Sequence, residues 1–167
     1  MKVKLEKILD HQAIQHKVRR IAYQIYESNV NEKEIILAGI ADNGYKFAER
    51  LGLALEEISP LSIILCKVSM NKKKPLGTVT TSLDPSAYQN KSVVLIDDVL
   101  NSGTTLVYGV KHFLDVPLKR FKTAVLVNRN HKKFPVKADF KGISLSTSLN
   151  ESVKVMFRKG NDMAVLE

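Results

Sequence analysis

A chain of 167 residues holds one well-filled domain and is too short for two independent cores, so a single domain over 1–167 is expected. Its composition, 44% hydrophobic and 26% charged, excludes a disordered chain, and no apolar run approaches the roughly 20 residues of a membrane helix. The net charge of +9 favours anionic partners without choosing among phosphate esters, nucleic acid and an acidic protein surface.

The opening "MKVKLEKILDHQ" has acids where a signal peptide carries its apolar core, which predicts a cytoplasmic protein with no membrane partner. "LDHQAIQHKVRRIAYQIYESN" then sets Ile14, Val18, Ile21 and Ile25 on one helical face, with Asp10 as N-cap and Asn29 near the stop. "EIILAGI" reads as a short buried strand ending at Gly39, and "GYKFAERLGLALEEI" repeats Phe47, Leu51, Leu55 and Ile58 at helical spacing. "LSIILCKV" is a second buried strand, in which the single Cys66 reads as a buried thiol without a disulfide or metal role. From Ser69 to Lys91 the chain is polar and aperiodic, either a mobile loop or a loose hairpin with one strand at 78–82. "SVVLID" is the third strand, and "GTTLVYGVKHFLD" a helix with Leu106, Val110 and Phe113 or Leu114 inward. "FKTAVLVN" is the fourth strand, and "ADFKGIS" and "SVKVMFR" read as shorter strands at the edge of the domain.

Strands separated by helices of this length imply crossover connections. The expected fold class is therefore α/β, a parallel central sheet flanked by helices. Ligands of such sheets bind beyond the carboxyl ends of the strands, so the residues after Leu37, Ile96 and Val127 are the places to look for chemistry.

Asp97 and Asp98 follow an apolar run there, where two like charges repel unless a metal, a sugar diol or a base shares them. An ionised carboxylate only accepts hydrogen bonds, which suits vicinal ribose hydroxyls. Ser102, Thr104 and Thr105 then offer hydroxyls, Gly103 allows close backbone approach, and the amides opening the 103–115 helix favour a dianion. The plainer alternative is that Asp98 ends a strand and Asn101 or Ser102 caps a helix. A cap needs one such residue, whereas this stretch supplies acids and a hydroxyl-glycine-hydroxyl cradle together, so a ribose 5-phosphate site is preferred.

"VVLIDDVLNSGTTL" resembles the signature of the type I phosphoribosyltransferases, an apolar run, two acids, two apolar residues and a small-residue phosphate loop. Within them the chain is most similar to the family of pyrimidine-operon attenuation regulators that double as uracil phosphoribosyltransferases. That likeness runs through "ILDHQAIQHKVRRIAYQIYESN", "ILAGIADNGYKFAERL" and "AVLVNRNHKKFPVKADFKGISLSTS". The resemblance implies a central sheet with a small hood, and transfer of ribose 5-phosphate from 5-phosphoribosyl 1-diphosphate to a nucleobase, with Mg²⁺ carried on the diphosphate. By the same resemblance Asp97 and Asp98 bind the ribose hydroxyls, and Asn101, Ser102, Gly103, Thr104 and Thr105 hold the 5-phosphate. Ala41, Asp42, Asn43 and Gly44 form a diphosphate loop, the hood around Lys141, Gly142, Ile143 and Ser144 accepts the base, and a homodimer or larger assembly is expected.

Three departures stand out beside that family pattern. Asp42-Asn43 and Thr104 occupy positions where relatives carry arginine, and Lys72, Lys73 and Lys74 replace an arginine and acids of the flexible loop. Lysine keeps the attraction but not the bidentate geometry. Asn101 also cannot act as the general base that purine-transferring relatives place there, which favours a pyrimidine. These departures keep a second function open, a nucleotide-sensing, RNA-binding regulator with weak or no catalysis. Its basic surface would use Arg129, His131, Lys132 and Lys133 of "NRNHKKFPVK", joined by Arg19 of the first helix, unless the charge run is only a solvated loop. His131 has no second His or Cys at ligand spacing, so no protein metal site is expected.

Overall fold

The computed structural model describes residues 4–74, 76–148 and 150–167. Residues 1–3 of the acid-containing opening and Pro75 of the polar excursion lie outside that description. Helix α1 (His11–Glu27) is capped as expected, Asp10 Oδ1 accepting from the Ala13 amide at 2.8 Å. Strand β2 (Glu34–Ile40) leads into α2 (Ala41–Ile58), and β3 (Ser62–Ser69) follows. The polar excursion is a hairpin whose short β4 (Thr80–Thr81) pairs antiparallel with β3, followed by one unexpected helical turn, α3 (Pro85–Tyr88). Then come β5 (Ser92–Leu100), α4 (Thr104–Phe113), β6 (Arg120–Arg129) and β7 (Phe140–Leu145).

These strands form one sheet in the order β4-β3-β2-β5-β6-β7, parallel except at β4. Alternate strand residues bury on opposite faces. Ile35, Leu37, Val94 and Ile96 pack with Ile14, Ile21, Phe47 and Leu51 of α1 and α2, and Ile36, Ala38, Val93 and Leu95 pack with Tyr88, Leu106 and Phe113 of α3 and α4. Each buried aliphatic or aromatic side chain contributes roughly 1.5–3 kcal/mol.

Three expectations are corrected by this architecture. The four residues expected as a loop after the first strand, Ala41 to Gly44, are instead the opening turn of α2, because Ala41 takes φ 52 and reverses the chain within one residue. Strand β5 does not stop at Asp97; it continues to Leu100 because β6 keeps pairing with it, Leu100 opposite Asn128, after the β2 ladder has ended at Gly39 opposite Ile96. The segment expected as a hood, 141–144, is part of β7, held in parallel register beside β6 with Ile143 opposite Val127 and Ser144 opposite Asn128.

The hood is a separate antiparallel sheet, β1 (Glu6–Leu9), β9 (Met163–Leu166) and β8 (Val153–Met156). It is pinned to the helices through Asp162, which is buried and accepts from Gln15 Nε2 at 3.0 Å, Arg50 Nε and Nη2 at 3.1 Å each, and the Arg158 amide at 2.8 Å.

Candidate active site

β5 projects beyond β2, and its last residues wall a pocket of about 180 Å³ together with Lys72, residues 101–106, Val125 and Val153 of the hood. Asp97 is 3% exposed. Its Oδ1 accepts from Lys72 Nζ at 3.1 Å and from the Asp98 amide at 2.9 Å. Gly44 of α2 lies directly over this point, where a Cβ would come 2.8 Å from Ile96 O and 3.2 Å from Asp97 Oδ1; any side chain there would push the helix off the acid. Burial, reinforced by the neighbouring Asp98 charge and opposed by Lys72, raises the Asp97 carboxyl to about 8. For Lys72 burial works downward, but the two carboxylates outweigh it and its ammonium is held above its ordinary value.

Asp98 accepts from Asn43 Nδ2 at 3.2 Å, and the same Nδ2 reaches Val155 O of the hood at 2.9 Å. Asn43 therefore joins the acid pair to the hood. Its neighbour Asp42 points away, exposed and paired with Lys67 at 3.3 Å, and neither Ile143 nor Ser144 lines the pocket.

The opposite end of the pocket is built from donors. Gly103 takes a left-handed φ of 89 and caps α4 without a side-chain bond, leaving the opening amides of the helix free of intrahelical partners. A Cβ at Gly103 would also lie 2.7 Å from Val136 Cγ1. Ser102 Oγ and Thr104 Oγ1 are 2.8 Å apart, and Ser102 O accepts from the Lys133 amide at 2.7 Å. The loop is thus braced from behind by 133–136. One end of the pocket carries acceptors and the other carries donors, a division suited to a sugar diol carrying a phosphate.

The residues grouped for RNA do not form one patch. Arg19 lies on the α1/α2 side and pairs with Glu57 at 3.6 Å, whereas 133–136 pack on Ser102 and Gly103 at the opening of α4. Arg129 is buried, with its guanidinium bonded to Asn101 Oδ1, Thr147 Oγ1 and two main-chain carbonyls. His131 Nε2 sits against Thr147 O. Lys132 and Lys133 remain exposed. Sequence reasoning missed the direct contact of Lys72 with the acids, the bridging role of Asn43, the hood wall at Val153 and the Arg129–Asn101 bond. Of these only Lys72 left a trace, as the cationic run of the polar excursion.

The chain is similar to known proteins along most of its length. A model of the phosphoribosyl transferase domain matches residues 4–157. The bifunctional protein PyrR of Macrococcus caseolyticus is 33% identical over 162 residues, 93% of each chain, and that of Bacillus pumilus is 34% identical over 171 residues, 95% of each. In fold, a hypoxanthine phosphoribosyltransferase of Trypanosoma cruzi superposes with a TM-score of 0.74 at 16% identity, covering 89% of this chain and 84% of that one. Motif, fold and relatives agree: the chain belongs to the phosphoribosyl transferase domain family.

Proposed function

We propose that residues 1–167 act as one domain that moves ribose 5-phosphate from 5-phosphoribosyl 1-diphosphate to a pyrimidine such as uracil. A bond forms between the base nitrogen and the anomeric carbon as the bond from that carbon to diphosphate breaks. Diphosphate leaves with the electron pair, and the proton of the base nitrogen passes to solvent. The observation that carries this reading is the division of one pocket into an acid end, Asp97 and Asp98, and a donor end, residues 101–105. Asp97 and Asp98 hold the ribose hydroxyls, and the positive charge that develops on the sugar ring draws the raised Asp97 carboxyl back to its ionised form, its proton passing to solvent, so that both acids face that charge as carboxylates. The amides and hydroxyls of Ser102, Thr104 and Thr105 hold the 5-phosphate, and Asn43 at the opening of α2 faces the diphosphate side. Val153 of the hood helps exclude water, which would otherwise capture the cation.

The donor set fits Mg²⁺: two carboxylates at the pocket, and among the described residues no cluster of three His, Cys, Asp or Glu that would form an all-protein cage. Asp97 and Asp98 would face an ion that arrives with the diphosphate, and when bound it neutralises the leaving group's charge. Calorimetric titration with uridine 5′-monophosphate tests the site. Binding weakened at least about tenfold by Asp97→Asn is expected, and unchanged binding would contradict it.

A second function, RNA binding, is favoured by the exposed Lys132, Lys133 and Lys137 on a segment braced against the phosphate loop. Recognition there would rest on phosphate contacts and shape. A filter-binding titration in which Lys132→Glu with Lys133→Glu left leader-RNA affinity unchanged would remove it. The setting proposed for both functions is a cytoplasmic homodimer or larger assembly. No helix among the described residues is long and apolar enough to cross a membrane, and Tyr23, 45% exposed, and Leu53 leave apolar surface on α1 and α2. Light scattering at the monomer mass would remove the assembly.

A further inference from the structure

Arg129 stands at the end of β6, 8% exposed, and its guanidinium donates four hydrogen bonds. Nη1 donates to Asn101 Oδ1 at 2.8 Å, Nε to Thr147 Oγ1 at 2.9 Å, and Nη2 to the main-chain carbonyls of Ser148 and Glu151. Arginine has donors only, so the Asn101 atom that meets it must be the carboxamide oxygen. That leaves the NH₂ as the polar group with which Asn101 addresses the pocket it lines. Among the described residues this NH₂ donates to no protein acceptor, and no carboxylate lies within ion-pair distance of the Arg129 guanidinium. A buried cation without a counter-charge is costly, and its field polarises the amide it holds into a stronger donor.

We infer that Arg129 is a positioning residue that fixes Asn101 as a hydrogen-bond donor, so that this wall of the pocket selects an anionic acceptor oxygen on the ligand and rejects a donor group. The inference rests on the phosphoribosyl reading and deepens it. An unrestrained asparagine turns either its oxygen or its nitrogen to a ligand, whereas this one is committed. The anionic oxygen is that of the ligand's phosphate, and the neutral competitor is a carbonyl of the base.

The test is calorimetric binding of ribose 5-phosphate, which has a phosphate and no base, and of uridine, which has a base and no phosphate. Asn101→Ala, Asn101→Asp, Arg129→Met and the double variant Asn101→Ala with Arg129→Met are compared with wild type. Asn101→Asp keeps the bond to Arg129 but presents only acceptors, and neither Asn101 variant touches the loop contacts of Arg129. Each single variant should weaken ribose 5-phosphate about tenfold, with Asn101→Asp the weakest. The double variant should bind like Asn101→Ala, and uridine affinity should hold throughout. Additive losses in the double variant, wild-type affinity in Asn101→Asp, or losses confined to uridine would each overturn the inference while leaving the pocket a ribose-phosphate site. Wild-type protein binding neither ligand would overturn the phosphoribosyl reading and this inference with it.

Discussion

Lys72 Nζ lies 3.1 Å from Asp97 Oδ1 and 3.8 Å from Asp98 Oδ1, so one ammonium from the polar excursion is the counter-ion of both acids. Removing it takes away the one charge that lowers the buried Asp97 carboxyl. In Lys72→Met the carboxyl should titrate further above its value of about 8, followed by the ¹³C shift of its side chain. A midpoint unmoved or lowered would show that the ammonium is not the counter-ion.

Asp97 also sets a pH dependence of stability. Its folded pKa of about 8 stands above the ordinary carboxyl value of 3.8, so the native state holds a proton that the unfolded chain releases across that window. The stability this proton contributes is complete below pH 3.8 and is lost as pH rises through about 8. Asp97→Asn abolishes the trend. At pH 8 the variant should be more stable than wild type by about 1 kcal/mol or more, seen as a melting temperature higher by about 2–4 °C, and this advantage should shrink at pH 5. A wild-type melting temperature that rises from pH 5 to 8 relative to the variant would contradict the sign.

Gly103 combines φ 89 with a Cβ position 2.7 Å from Val136 Cγ1. Gly103→Ala should therefore cost about 1–3 kcal/mol in urea unfolding, and Val136→Ala in the same chain should return the steric share but not the conformational one. Additive destabilisation by the two substitutions would show that the contact is not the cause.

Asp162 holds the hood to α1 and α2 by accepting three hydrogen bonds, one from Gln15 Nε2 and two from the Arg50 guanidinium. Asp162→Ala leaves the part-buried Arg50 without its carboxylate, and the expected loss is about 3 kcal/mol of unfolding free energy. Faster amide exchange should follow in β8 and β9 while β5 and β6 keep their protection. Unchanged exchange in the hood would mean that its attachment lies elsewhere.

The central sheet was legible because β2, β5 and β6 carry continuous apolar runs, as strands buried on both faces must, and β3 carries a shorter one at 63–66. The helices were legible from Ile14, Val18, Ile21 and Ile25 and from Phe47, Leu51 and Leu55, all buried. Strands β1 and β9 were not, since four residues each carry too little period to read, and their pairing joins the two ends of the chain. The acids and the small-residue loop were visible as a local pattern. What joins them to the rest of the site was not: Lys72 reaches Asp97 across 25 positions, Asn43 reaches Val155 across 112, and Arg129 reaches Asn101 across 28. Residues 41–44 were read as a loop and not as the first turn of α2 because one left-handed residue, Ala41, shortens the turn, and no side-chain pattern signals that at an alanine.

Uracil-dependent release of diphosphate from 5-phosphoribosyl 1-diphosphate in the presence of Mg²⁺ is the most direct measure of the proposed transfer. The proposed function predicts release that requires uracil, is not replaced by hypoxanthine, and falls by at least about a hundredfold in Asp97→Asn, since charge stabilisation of this kind contributes several kcal/mol. No uracil-dependent release, or release that Asp97→Asn leaves unchanged, would contradict it.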